Sequence, residues 1–543
     1  MFTSPSAPLP DTPLIISARQ PATNFLSLST YRSWSKRFAA GLLAAGLQPG
    51  DRLLLYSVNN IFFPVVVMGV VMAGGIFTGV NPGAVARELA TQLGDSGARW
   101  VLAGREGLGV ALEAVEKVGE GGRERVFVFD DLFSGSEKGE GGIKHWASLL
   151  ATEQEGDAFA WEELSTREQV DRPAMLNYSS GTTGMPKGVL ISHRNVVANA
   201  AQWIYMQKLD PDEEEKVKKA NWLGFLPMYH TMAQSLYVTM APKLGIPVYI
   251  SAKFDFIQML EDIQRFKVDM LILVPPIVVA LVKHPAVRSG KYDLSSVTAI
   301  GSGAAPLGRE IIAEVEALWP PGVMRVTQGW GLTEATCSVL GFHPLEQLEG
   351  SSVGELQPNC EAKVMSEDGT EELPRGQRGE IWIRGPTIMR GYWRNPEATK
   401  EAITEDGWLK TGDVGVCDER GRWYIVDRAK ELIKVKGFQV APAELEALLL
   451  EHPAVADAGV VGVTINEGEL PRAYVVLQAG AKATSEEIAE FVRKNVSRNK
   501  WLAGGVVFTD VIPKNPSGKI LRKILRERAR KEVGDKEEKT SKL

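Results

Sequence analysis

Cysteine is scarce in this 543-residue sequence, with only Cys337, Cys360 and Cys417. Their spacing makes neither a disulfide framework nor a zinc site, which fits a reducing compartment. A basic excess is also missing. The chain carries 61 Lys and Arg against 67 Asp and Glu, a net charge of −6. Nothing in that balance suggests the positive surface expected of a nucleic-acid binder. Met1 to Asp11 lacks a basic region followed by an apolar segment, so no secretory signal is expected. One uncharged run, Ile61 to Val80, is long enough to cross a bilayer. It holds Pro64, Gly69, Gly74, Gly75 and Gly79, and Asn81-Pro82-Gly83 closes it as a turn. It is read as a buried helix followed by a strand, with no transmembrane segment.

The length and the 44% hydrophobic content call for two or more domains. Strand-like runs such as Arg52–Tyr56, Trp100–Ala103 and Met270–Val274 alternate with helical patterns. Such alternation predicts an α/β fold with a largely parallel sheet. No internal repeat is visible. Gly119 to Gly142 and Asp210 to Lys219 read as exposed loops. After about Gly379 the pattern changes to strands with tight turns, as in Glu380–Ile383 and Trp423–Val426. Ala441 to Leu450 then opens a small α/β unit as a helix. The boundary is expected near Asp427 to Lys430, dividing residues 1–428 from 429–543. A last helix over roughly Ile520 to Val533 is expected to set Ile520, Leu521, Ile524 and Leu525 on one face.

The densest chemical signal is Ser179-Ser180-Gly181-Thr182-Thr183-Gly184-Met185-Pro186-Lys187-Gly188. Glycines let backbone N–H groups approach an anion, hydroxyls add donors, and lysine adds a compact charge. These parts suit a polyphosphate, at a spacing unlike the Walker A loop. With this loop the chain resembles the acyl-adenylate-forming superfamily, and most of all its 4-coumarate–CoA ligase-like branch. Further motifs follow in the family's order. They are Gly301–Pro306, Gln328–Glu334, Tyr392–Pro396, Thr411-Gly412-Asp413, Asp427–Lys434, Lys436–Glu444 and Pro516–Lys519.

The resemblance implies a large N-terminal adenylation domain and a small, mobile C-terminal α+β domain. It implies an ATP-dependent acid–CoA ligase that forms acyl-AMP, using ATP with Mg²⁺ and taking coenzyme A as co-substrate. Ser179, Ser180, Gly181, Thr182, Thr183, Gly184 and Lys187 match the phosphate loop. Gln328, Gly329, Trp330 and Thr333 match the adenine segment, where Trp330 replaces the usual tyrosine. Asp413 matches the ribose-binding carboxylate, and Arg428 the arginine beside ribose and phosphate. Glu334 matches the Mg²⁺ carboxylate, and His230 a histidine near the reacting carboxyl group. Lys519 matches the lysine of the adenylation step. Lys434 and Gln439 match residues of the thioester step, reached when the C-terminal domain swings. Lys253, Lys436 and Gly437 match CoA contacts.

By the same resemblance the acyl pocket involves Met232, Ser235, Gly301, Gly303, Gly329, Gly331, Cys337, Ser338 and Val339. Met232 and Gly301 stand where those ligases often carry tyrosine and lysine. Their loss removes partners for a phenolic hydroxyl, so a hydrophobic arylalkanoic or medium-chain acid is expected. Carrier-protein loading in trans and luciferase-like adenylation are the alternatives. The pattern Gly350-Ser351-Ser352-Val353-Gly354 fits a hydrolase elbow in spelling, yet lacks the preceding strand and following helix. The terminal Ser541-Lys542-Leu543 is the tripeptide read by the peroxisomal import receptor, which predicts a peroxisomal enzyme. The charged stretch Lys531 to Lys539 before it is expected to be solvated and mobile.

Overall fold

The computed structural model describes residues 4–119, 122–133, 138–179, 186–346, 351–435, 438–465, 468–515 and 518–540, the last few (534–540) by backbone only. Two seven-stranded sheets form the body of the N-terminal domain. The first runs in the order Gly391–Tyr392, Lys187–Ser192, Pro173–Ser179, Ile76–Val80, Arg52–Tyr56, Trp100–Gly104, Val126–Phe129. Its last five strands are parallel, and the hairpin Pro173–Ser179/Lys187–Ser192 is antiparallel. The second runs Arg325–Gln328, Ala299–Ser302, Met270–Leu273, Trp222–Gly224, Val248–Ile250, Pro13–Ser17, Phe25–Ser27. All its pairs are parallel except the last. One continuous apolar core joins both sheets to the helices Leu28–Ala44 and Phe63–Met72.

The uncharged run resolves as expected, into helix Phe63–Met72 and strand Ile76–Val80, both buried. Pro64 sits in the first helical turn, where its missing N–H costs nothing. Among the described residues no helix is long and apolar enough to cross a membrane.

Two segments expected as loops hold structure. Gly119 to Gly142 contains the strand Val126–Phe129, buried at all four positions. Four apolar residues were masked there by the surrounding Gly, Glu and Ser. Asp210 to Lys219 contains the helix Glu213–Lys219, with Glu213, Glu214 and Glu215 in its first turn and Lys216, Lys218 and Lys219 in its last. That polarity matches the helix dipole, and no residue of the helix is buried.

A five-stranded antiparallel sheet follows, ordered Glu372–Leu373, Glu361–Met365, Arg378–Arg384, Leu409–Cys417, Trp423–Arg428. Beyond it, the pair Ile433–Val435/Phe438–Val440 and the sheet Val455–Ile465, Gly468–Leu477, Val506–Phe508 belong to the small C-terminal domain. Helix Pro442–Glu451 packs against strand Val455–Ile465 over a separate apolar core. The last helix is Arg522–Thr540 and differs from expectation twice. Among its described side chains Leu525 and Ala529, one turn apart, are buried, whereas Ile524 is 49% exposed. The helix also runs beyond Val533 through the charged stretch Lys531 to Lys539, because Lys, Arg and Glu are good helix formers.

The hairpin Trp330–Gly331/Ser338–Gly341 carries Trp330 to the site. A Cβ on Gly331 would lie 1.7 Å from the Cys337 carbonyl oxygen and 2.7 Å from Ser338 Cα, so only glycine fits. Both neighbours are backbone, so Gly331→Ala must part the strands. The expected cost is about 1–3 kcal/mol. A lower thermal unfolding midpoint together with lost nucleotide affinity, by calorimetric titration, checks it.

Candidate active site

A cavity of about 250 Å³ opens between the two domains. Ala304, Gln328, Gly329, Trp330, Gly331, Asp413 and Arg428 line its N-terminal side, and Glu446, Lys519 and Arg522 its C-terminal side. Ser302 and Gln328 end adjacent parallel strands, so the cavity lies at the carboxyl edge of the sheet, where α/β folds bind ligands. Ala304 adopts φ 71° there, a conformation L-residues avoid.

Asp413 is the best-held group. It is 5% exposed, and its register partner on the next strand is Arg428. The Trp330 indole N–H donates to Asp413 Oδ2 at 2.9 Å. Arg428 Nε lies 3.0 Å from Asp413 Oδ1, close enough for an ion pair but without hydrogen-bond geometry, leaving that oxygen free to accept. Trp330 thus does more than replace a tyrosine: its N–H orients the carboxylate. Gln328 Oε1 accepts from the Leu307 amide at 2.7 Å, while its Nε2 is buried without a partner. Ser302 Oγ is likewise unpartnered. Buried donors and acceptors are rarely left so, and their convergence marks a place for a polar ligand.

Lys519 enters from the C-terminal domain. The Asn515 side chain accepts from its amide at 2.9 Å, which shapes the turn. Burial, then the Arg428 charge, pulls the Lys519 ammonium down to about 8, against partial support from Asp413. Glu334 Oε1 accepts from the Tyr392 hydroxyl at 3.1 Å, and Lys187 Nζ stands 4.9 Å over the Tyr392 ring. Ser179 and Lys187 face one another across the hairpin whose connection is the phosphate loop. Ser180, Gly181, Thr182, Thr183 and Gly184 lie outside the described residues. Thr333 belongs to the short helix that also carries Glu334.

The His230 ring lies against Tyr229, with centroids 4.3 Å apart. Its Nε2 is buried without a partner, and burial depresses the ring to about 4, so it is neutral. Met232 sulfur sits 3.6 Å from where a Gly303 Cβ would be, and Ile272 closes on Gly301 at 3.0 Å in the same sense. Cys337 is hydrogen-bonded to Ser235, and burial pushes its thiol up to about 11. Ser338 and buried Val339 continue that strand. A second, one-water cavity of about 10 Å³ lies beside Ser235, lined also by Asn177, Gln234 and Thr336. Asn177 Nδ2 donates to Gln234 Oε1 at 2.8 Å, and Gln234 Nε2 donates back to Asn177 Oδ1 at 3.3 Å. This buried amide pair escaped the sequence reading, since each residue looks ordinary alone.

The remaining residues stand apart. Lys434 Nζ and Gln439 Nε2 both bond Glu367, at 3.1 and 3.0 Å, away from the cavity. Lys253 pairs with Glu106 at 2.8 Å on the surface. Lys436 and Gly437 lie outside the described residues. The hydrolase pattern dissolves: Ser352 is buried and donates to the Trp423 carbonyl at 3.1 Å, and a strand follows it.

The model of the AMP-binding enzyme family matches residues 6–393, and that of the AMP-binding enzyme C-terminal domain matches residues 444–519. A phenylacetyl-CoA ligase of Aspergillus niger is 36% identical over 501 residues, covering 92% of this chain and 90% of its own. A 4-coumarate–CoA ligase of Petroselinum crispum is 39% identical over 505 residues, covering 91% and 87%. The crystal structure of ATP-bound MatB from Rhodopseudomonas palustris superposes with a TM-score of 0.76 at 28% identity, covering 93% of this chain and 94% of that one. The chain belongs to the AMP-binding enzyme family, in the branch of the 4-coumarate–CoA ligases. It is an AMP-forming acid–CoA ligase.

Lys519 must be charged to meet anionic oxygens, and its charge is lost as pH rises through about 8. The kcat/KM for ATP in pyrophosphate exchange is therefore expected to fall above about pH 8. Bound nucleotide adds negative charge, so the limb in kcat should lie higher. Lys519→Arg keeps its charge at all these pH values. It should lower the plateau and remove the limb; an unchanged limb would assign it to another group.

Proposed function

We propose that the enzyme joins a hydrophobic acid, of the arylalkanoic or medium-chain class, to CoA with Mg²⁺ on the nucleotide, and that it works in the peroxisome. The observation that carries the reading is Lys519 from one domain buried against the Asp413–Arg428 pair of the other. The acid's carboxylate oxygen attacks the α-phosphorus of ATP and pyrophosphate leaves. Lys519 and Arg428 offset the charge that crowds that centre, in a site screened from water. Asp413, fixed by Trp330, is placed to accept from ribose hydroxyls. In the second step the CoA sulfur attacks the acyl-adenylate carbonyl, its proton leaves, and AMP departs. Neutral His230 can hold a hydrogen bond at that carboxyl group without adding charge.

Mg²⁺ fits the donors present. Among the described residues no group of three metal-ligating side chains occurs, and Glu334 supplies one carboxylate. That is the usual share of protein when phosphates and water supply the rest. Glu334 would hold the ion, which would offset phosphate charge.

Three features favour a hydrophobic acid. Met232 sulfur packs beside Gly303, Gly301 brings no polar side chain of its own and has Ile272 as its nearest neighbour, and the Asn177–Gln234 amides satisfy each other rather than a substrate. The phenylacetyl-CoA ligase among the relatives points to arylacetic acids. CoA-dependent AMP release across a panel of acids tests this. Phenylacetate, phenylpropanoate or octanoate should exceed 4-coumarate by at least about tenfold in kcat/KM, the scale on which a missing hydroxyl partner discriminates. Preference for 4-coumarate over its deoxy analogue overturns the substrate class. Release that needs a pantetheinylated carrier instead of CoA overturns the ligase reading.

The address rests on Ser541-Lys542-Leu543, which lie outside the described residues. Peroxisomes hold CoA and consume acyl thioesters, so address and chemistry agree. Protein tagged at its N-terminus should appear in puncta shared with a peroxisomal marker. Deleting the tripeptide should make it diffuse while ligase activity persists; puncta that survive assign the address elsewhere.

A further inference from the structure

Lys283 ends the helix Pro275–Lys283 of the N-terminal domain. Its Nζ donates to the carbonyls of Leu450 and Val455 in the C-terminal domain, both at 2.6 Å. These carbonyls lie at and just beyond the C-terminal end of helix Pro442–Glu451, where carbonyl oxygens favour a cation, and Val455 O also accepts from Gln478 Nε2 at 3.3 Å. The other end of the Lys283 helix touches the turn of the adenylation lysine. A Cβ on Gly518 would stand 3.0 Å from Val274 and 3.4 Å from Pro276, and Gly518 has φ 78°. One rigid element thus contacts the C-terminal domain at both ends and sets how deep Lys519 reaches. Glu451 faces Glu310 and Glu314 across the same interface, and their charges, after burial, push its carboxyl up.

Glu367 supplies a second contact, on the surface turn after strand Glu361–Met365. Its Oε1 meets Lys434 and its Oε2 meets Gln439. Lys434 and Gln439 are register partners, so one carboxylate grips both residues expected to serve the thioester step.

We infer that Lys283 and Glu367 are positioning residues of the first half-reaction, two interdomain latches that seat Lys519 at the site while Lys434 and Gln439 are held away from it. The inference rests on the ligase reading above. Release of both latches precedes the CoA step. Each latch shifts only the balance between two arrangements, so its loss slows one half-reaction and spares or speeds the other.

The full-length enzyme is assayed for ATP–pyrophosphate exchange with the best acid of the panel, and for thioester formation from that acid's synthetic adenylate and CoA. Absence of both in the wild type overturns the ligase reading and the latches with it. Where the wild type performs both, Lys283→Met is expected to lose about tenfold or more in exchange, since the part-buried Leu450 carbonyl loses its charged donor and the Val455 carbonyl keeps only Gln478 Nε2. Its thioester formation should hold or rise. Glu367→Gln should lose only about twofold to fivefold in exchange, because the pair is exposed, and gain a similar factor in thioester formation. Lys283→Arg should recover part of the exchange. Equal losses in both half-reactions, or no change in either variant, overturn the latches. Thermal unfolding is measured alongside, and Glu367→Gln, on an exposed turn, decides the question should Lys283→Met fail to fold.

Discussion

Asp413 is a carboxylate buried at a domain junction, and the arrangement of the site depends on how its charge is compensated. A bare carboxylate there would be neutralised by proton uptake. Instead an indole N–H and a guanidinium converge on it. Each comes from a different element: Trp330 from a hairpin closed by Gly331, Arg428 from the end of the neighbouring strand, where the chain leaves the five-stranded sheet. The same two charges then set the field that Lys519 meets on entering. Burial and then Arg428 depress the lysine and Asp413 supports it, leaving an ammonium that is charged at neutral pH and easily perturbed by a phosphate.

Trp330 shows why a substitution inside a motif carries more than its aromatic face. Tyrosine offers a hydroxyl that donates or accepts; indole offers a donor alone. Beside Asp413 a donor is what the geometry uses. The paired carboxylate keeps one oxygen free to accept.

Much of the site was legible in the sequence because its residues lie in contiguous motifs at turns and strand ends. Gln328 to Gly331, Asp413, Arg428 and Lys519 converge around one cavity. The parallel sheets were legible because buried strands read as short apolar runs. Val126–Phe129 was not, since Gly- and Glu-rich flanks hid it. The Asn177–Gln234 pair was hidden for a different reason: its meaning lies in two residues far apart in sequence satisfying each other. Glu367 and Lys283 were illegible in the same way. A surface glutamate in a turn and a lysine at a helix end carry no local signal, and their role comes only from what the other domain brings to them.

The interface that gathers these groups differs from the interiors on either side. The N-terminal core is large and continuous, and the C-terminal sheet has its own separate core. Between them lie small residues in close approach, Gly308 against Ala447 and Gly518 against Val274, with charged groups around the rim. The apolar cluster at the junction, Val414, Leu432 and Ala441, is small. Interlocked large side chains would have to be withdrawn from water-free pockets before the domains could part, at a cost that scales with apolar area. Small residues slide, and surface ion pairs exchange protein partners for water at little net cost. Holding the C-terminal domain by two backbone carbonyls and an exposed carboxylate therefore gives an arrangement firm enough to seat Lys519, while Leu450, which packs against both cores, is a large side chain that parting the domains withdraws.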